Sequence, residues 1–173
     1  MAEKIVVLLA HPDMEKSVAN KALMAEVKEM GHVTYVNLYD QKDECFDVEA
    51  YKTLLSEAKA LVLQFPFYWA SAPYLLKKWT DDVFTNFAQS PVIQDKPLLV
   101  VTTTASEYDA YRSGGRNRFT MDELLRPYQL MATHAGMVWQ TPIVVYGLAS
   151  EDAEENLEFG REEFKEKLIE LGA

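Results

Sequence analysis

The chain has 173 residues, 49% of them apolar and 25% charged, the balance of one globular domain large enough to bury a core. Its net charge of −10 argues against a nucleic-acid or anionic-membrane surface, since both ask for clustered Lys and Arg. Cys45 is the only cysteine, so no internal disulfide forms and a reducing cytosol is the compartment that fits.

Residues 4–10 read Lys-Ile-Val-Val-Leu-Leu-Ala, a continuous apolar run of the kind shown by a strand buried on both faces. Residues 1–10 are too short and too poorly flanked for a signal peptide. No stretch reaches the roughly 20 apolar residues of a membrane span, so a cytoplasmic protein is expected. A polar loop from His11 leads to a helix whose inner face carries Leu23, Val27 and Met30 and which Gly31 stops. That helix start brings free N–H groups to the carboxyl edge of the sheet, a natural anion site. Neither G-x-G-x-x-G nor a Walker loop is present, so the site is not a standard dinucleotide or triphosphate cradle. Ser17 and Asn20 either give side-chain donors to a phosphate or cap the helix.

Residues 32–38 form the second strand. Asp47 then caps a helix carrying Tyr51, Leu54, Leu55 and Ala58 inward. Residues 61–65 are a third buried strand, and Pro66 ends its pairing because it has no N–H to donate. Ser71 is expected to cap the next helix, with Ala72 and Pro73 in its first turn and Leu76, Trp79 and Val83 on one face. Between strand and helix stand Phe67, Tyr68, Trp69 and Ala70. Aromatic residues on a tight loop need something flat to pack on: a core gap, an oligomer interface or a planar ligand.

Residues 86–95 read as a loop, and residues 97–103 as a fourth strand running into Thr102, Thr103, Thr104, Ala105 and Ser106. Those threonines either offer hydroxyls to a polar ligand edge or are simply β-branched strand residues. Residues 107–119 are a long irregular segment with Tyr108, Tyr111 and three arginines, Arg112, Arg116 and Arg118. They are a candidate docking spot for an anionic cosubstrate. Thr120 and Glu123 make a capping box, Pro127 kinks the helix that follows, and Gly136 ends it. Residues 137–146 form the last strand region, with Pro142 marking an edge or a bend. Leu157, Phe164, Leu168 and Leu171 line a closing helix whose acidic start suits its dipole.

No repeat, linker or low-complexity tract divides residues 1–173, so one domain is expected. Strand and helix alternate, which implies a five-stranded parallel sheet with helices on both faces and right-handed crossovers. Strand order is either half-Rossmann or 2-1-3-4-5. In the second, the ligand crevice lies beside the loops after strands 1, 3 and 4. Those loops begin at His11, Pro66 and Thr102, the segments whose composition is already unusual for loops, and that agreement favours a planar ligand.

Ala10-His11-Pro12 followed by Ser17-x-x-Asn20, and Phe65-Pro66-Phe67-Tyr68-Trp69 running into Leu75-Leu76-Lys77-Lys78-Trp79-Thr80-Asp81, resemble the flavodoxin-like NAD(P)H:quinone oxidoreductase family. Ser113-Gly114-Gly115, Arg118-Phe119-Thr120 and Leu124-Leu125-Arg126-Pro127 extend the likeness over nearly the whole chain. The bacterial branch is the nearest, with its ancillary proteins of potassium-efflux systems and its general-stress reductases. The resemblance implies a flavodoxin-like three-layer α/β sandwich in order 2-1-3-4-5 that holds FMN in preference to FAD and takes NAD(P)H as cosubstrate. It implies a quinone-like acceptor, ping-pong kinetics and a homodimer.

Residue by residue, His11, Ser17 and Asn20 match positions around the flavin phosphate and ribityl chain. Phe67, Tyr68, Trp69 and Ala70 match the loop against the ring. Thr103, Thr104, Ala105 and Ser106 match the loop over the ring's polar edge, where the family usually has Thr-Thr-Gly-Gly. Ala and Ser resist the positive φ and close approach that glycine permits. Tyr111 falls where mammalian members carry a tyrosine that assists hydride transfer, and Asn117 stands near the place of their histidine. Two other readings stay open: a flavodoxin-type electron carrier, and a regulatory subunit bound to a membrane transport protein.

Overall fold

The computed structural model describes residues 4–173. In chain order it has β1 (Lys4–Leu9), α1 (Ala19–Lys28), β2 (Val33–Asn37), α2 (Val48–Ser56), β3 (Ala58–Pro66) and α3 (Tyr74–Asp82). There follow β4 (Pro97–Thr103), α4 (Met121–Leu124), α5 (Arg126–Ala135), β5 (Val138–Trp139), β6 (Ile143–Val145) and α6 (Ala153–Gly172). Every strand pair is parallel, in the order β2-β1-β3-β4-β5, with β6 also pairing with β4. This is the flavodoxin-like α/β order.

The continuous apolar runs follow from burial on both faces. Ile5 and Val7 of β1 point to a core shared with Leu23 and Val27 of α1 and Phe164 and Leu168 of α6. Val6 and Leu8 point the other way, to Tyr51 and Leu55 of α2, Trp79 of α3 and Ala132 of α5. Helix α6 lies so close to β6 that a Cβ at Gly160 would meet the Val145 side chain at 2.4 Å.

Local departures from the sequence-based expectations have local causes. The last strand region divides into β5 and β6, because Thr141 and Pro142 break the ladder and proline has no N–H to offer it. Ala58 opens β3 and does not belong to the α2 face. Ser71 does not cap α3. A backbone bridge to Tyr68 holds it in the loop, and the helix starts at Tyr74 with Pro73 as an N-cap that offers no side-chain acceptor. The expected kink at Pro127 is a break at Leu125 between α4 and α5, with Pro127 in the first turn of α5. Asp47, the Thr120–Glu123 capping box and the left-handed Gly136 all act as expected.

Candidate functional site

At the carboxyl ends of β1, β3 and β4 the loops diverge around a cleft of about 850 Å³. Its lining includes His11, Ser17 and Asn20 from the first loop and α1, Phe67 and Tyr68 from the loop after β3, and Thr103, Thr104 and Ala105 from β4 and its loop. These come from distant parts of the sequence. The sheet order brings them together.

The α1 end is built for an anion. Val18 is the N-cap and has no side-chain acceptor, so Ser17 does not serve as the cap and the first-turn N–H groups are free for a ligand. His11 Nδ1 accepts the Asp13 backbone N–H at 3.1 Å. An imidazole nitrogen that accepts carries no proton, so neutral His11 holds its proton on Nε2, 3.5 Å from the Tyr68 hydroxyl. Burial lowers the His11 pKa, and the Asp13 carboxylate only partly opposes this. Lys16 pairs with Asp13 at 2.7 Å, and Arg161, also in the cleft, pairs with Glu26 at 2.7 Å.

The floor is a buried polar cluster. Asn20 Nδ2 donates to Thr103 Oγ1 at 3.1 Å, and Gln64 Nε2 donates to the main-chain oxygen and Oδ1 of Asn20, each at 3.2 Å. Tyr35 of β2 donates to Gln64 Oε1 at 2.9 Å.

The loop after β3 is strained. Phe67 N–H donates to the Thr103 carbonyl, and Tyr68 and Ser71 bond each other across a tight turn. The turn puts Trp69 (φ 48°) and Ala70 (φ 63°) in the left-handed region, which a non-glycine residue enters at a cost. Among the described residues their N–H groups have no acceptor, and both residues are exposed. The Trp69 ring is 100% exposed. Neither Trp69 nor Ala70 lines the cleft.

The loop after β4 is laced to the segment following β6. Thr104 N–H donates to the Val145 carbonyl, Leu148 N–H to Thr104 and Ala149 N–H to Ala105. Ala105 and Ser106 are not among the positive-φ residues, so the absence of glycine demands no strain there. Ser106 lies outside the cleft, where Arg116 Nη2 donates to its Oγ at 2.5 Å. Tyr111 lies outside as well. It packs edge-on against Phe67, with ring centroids 6.2 Å apart, and faces a second cleft with Tyr108 and Tyr146. Burial first, then the nearby Asp122 charge, pushes the Tyr146 phenol up to about 12. Of the three loop arginines, Arg112 pairs with Asp109, while Arg116 gives one N–H to the neutral Ser106 hydroxyl.

Sequence reasoning missed Leu148, Leu157 and Arg161 in the cleft and the Tyr35–Gln64 support beneath it. Gln64 did carry a signal, as a polar residue inside a buried apolar run. The α6 residues carried none, because their face toward the cleft is set by packing on α1.

Comparison with known proteins places this geometry in a family. A family model described as flavodoxin-like fold matches residues 3–168. A curated relative is the glutathione-regulated potassium-efflux system ancillary protein KefG of Yersinia enterocolitica. It is 38% identical over 148 residues, covering 83% of this chain and 80% of its own length. Among solved structures, general stress protein 14 of Treponema denticola, in complex with FMN, aligns with a TM-score of 0.90. Its identity is 27%, over 97% of this chain and 99% of that one. An NADPH-quinone reductase from P. pentosaceus aligns with a TM-score of 0.81 and 28% identity, over 92% of this chain and 96% of its own.

Proposed function

The chain belongs to the family with the flavodoxin-like fold, and from that premise we propose that it is an FMN-dependent NAD(P)H oxidoreductase reducing quinones or similar flat acceptors by two electrons. The observation that carries this reading is the cleft itself. One open site joins anion donors at the start of α1 to an aromatic-walled slot between the loops after β3 and β4. The FMN-bound and NADPH-quinone reductase neighbours support the same assignment.

Ser17, the first-turn N–H groups of α1 and neutral His11 would hold the flavin phosphate. Asn20 and Thr103 would donate toward the ribityl chain and its junction with the ring. Phe67 and Tyr68 exclude water beside it, and Tyr111 supports Phe67 from behind. Bound FMN supplies the redox chemistry, taking a hydride from NAD(P)H and passing two electrons to the acceptor. The balance is NAD(P)H, one proton and quinone giving NAD(P)⁺ and hydroquinone. A single cleft serving both donor and acceptor would require NAD(P)⁺ to leave before quinone enters, which would give ping-pong kinetics. FMN is assigned over FAD because the similar general stress protein 14 of Treponema denticola is in complex with FMN. A homodimer belongs to the same reading, supported by the fully exposed Trp69 at the mouth.

The test is an absorbance spectrum of the purified protein with FMN and then FAD added back. Stoichiometric binding of FMN, bleached by NADPH and recovered by a quinone, is the expected result. Absence of flavin binding overturns the reading. The likeness to KefG supports a second reading, a regulatory subunit of a membrane efflux system. Co-purification with the transporter from membranes, unaffected by loss of FMN, would favour it. Among the described residues no helix is long and apolar enough to cross a membrane.

A further inference from the structure

The buried cluster beneath the cleft has a direction, and the chemistry of its groups decides which. One end of the Gln64 carboxamide lies 3.2 Å from the main-chain oxygen of Asn20 and 3.2 Å from Asn20 Oδ1. A main-chain oxygen only accepts, so this end is the NH₂ group, with both protons engaged. The reverse orientation would set oxygen against oxygen twice. The other end, Oε1, then needs a donor, and the Tyr35 hydroxyl supplies it at 2.9 Å. Burial pushes the Tyr35 phenol well up, so it keeps its proton at any ordinary pH.

With Asn20 Oδ1 occupied as an acceptor, its Nδ2 turns to Thr103 Oγ1 at 3.1 Å. Thr103 accepts there and therefore has its own proton to give. Among the described residues neither that proton nor the second Nδ2 proton of Asn20 has an acceptor. Both residues line the cleft, at 2% and 5% exposure, while Gln64 is fully buried at 0%.

We propose that Tyr35 and Gln64 are positioning residues whose one-way chain of hydrogen bonds, Tyr35 to Gln64 to Asn20 to Thr103, orients the Asn20 Nδ2 and the Thr103 hydroxyl proton as donors toward the cleft. The wall therefore favours a ligand oxygen or nitrogen that accepts over one that can only donate. Without Gln64 the Asn20 carboxamide is free to rotate, and half of its orientations put Oδ1 where a donor is needed. The identity of the acceptor rests on the flavin reading: the phosphate, ribityl and ring-carbonyl oxygens of FMN all accept.

The experiment compares Gln64→Met, Tyr35→Phe and a control, Val62→Ala, which sits on the same face of β3 but outside the cluster. FMN and riboflavin are titrated into each apo-protein, and the side-chain carboxamide signals of Asn20 are followed by NMR without flavin. Gln64→Met is expected to bind FMN about tenfold more weakly and Tyr35→Phe about threefold, the loss of one oriented hydrogen bond or its support. The Asn20 carboxamide should lose its protection from exchange in Gln64→Met. Val62→Ala should lower Tm and leave FMN affinity unchanged. A loss shared by riboflavin assigns the acceptor to ring or ribityl, a loss confined to FMN assigns it to phosphate, and both support the proposal. It is overturned if Gln64→Met keeps wild-type affinity and Asn20 protection, or if Val62→Ala weakens FMN as much. If the wild type binds no flavin, the proposed function falls, and the apo spectra still decide the hydrogen-bond chain.

Discussion

Where β3 and β4 end, Gln64, Asn20 and Thr103 are 0%, 2% and 5% exposed and bonded to one another, whereas at the mouth the Trp69 ring is 100% exposed. The floor is held from below by interdigitated side chains and by polar groups that have no water to fall back on. The rim is held by backbone geometry: left-handed residues at 69 and 70, and a 3-10 turn at Tyr108–Tyr111. A floor of this kind is pre-formed and intolerant, because each unpaired buried group carries its full desolvation cost. A rim of this kind can be reshaped without unfolding the domain, which suits a site that must admit two substrates in turn.

The difference can be broken most forcefully at Phe65, fully buried at the end of β3 with its ring 5.2 Å from that of Tyr128. Phe65→Ala should cost about 3–5 kcal/mol by urea unfolding; a loss under about 1 kcal/mol would mean the packed end of β3 yields as readily as the rim. Asn20→Ala leaves Gln64 Nε2 with a single acceptor, and should cost about 1–3 kcal/mol and weaken FMN binding in parallel. Stability without binding loss would detach the floor from the site.

At the rim, a Cβ on Gly115 would stand 2.2 Å from the Asp109 carbonyl oxygen, a backbone atom that cannot step aside. Gly115→Ala should therefore open the loop, with faster amide exchange at Asn117, whose N–H donates to Ala110. The change in global stability should stay near about 1 kcal/mol. Wild-type exchange in that variant would show the loop already open.

His11 joins the two regions and gives a pH test. Its folded pKa lies below the ordinary 6.5 because burial disfavours the imidazolium. The unfolded chain therefore takes up the proton first as pH falls. The stability owed to neutral His11 is complete above 6.5 and is lost as pH falls toward the lowered folded value. His11→Asn should shrink the Tm difference between neutral and mildly acid solution; an unchanged difference would place the acid sensitivity elsewhere. The smallest effect is expected at Trp69, where Ala should move stability by no more than about 0.5 kcal/mol. A larger loss would mean that something covers the ring in solution, a second copy of the chain being the first to test.

Much of this was legible in the residues alone. Runs such as 5–9 and 98–101 announce strands buried on both faces, and Asp47, Thr120 and Gly136 set helix ends through local bonds that need no partner from afar. Strand order and the meeting of His11, Phe67 and Thr103 followed from handed crossovers and a family pattern. The tertiary structure alone decided which candidates face the cleft. Trp69 and Ala70 turn away because a two-residue bridge forces positive φ, and Tyr111 stands behind Phe67 because Gly115 folds its loop back on Asp109. It alone decided the direction of the Tyr35–Gln64–Asn20–Thr103 bonds too. A carboxamide's orientation depends on which atoms surround it, and those atoms come from four separate segments of the chain.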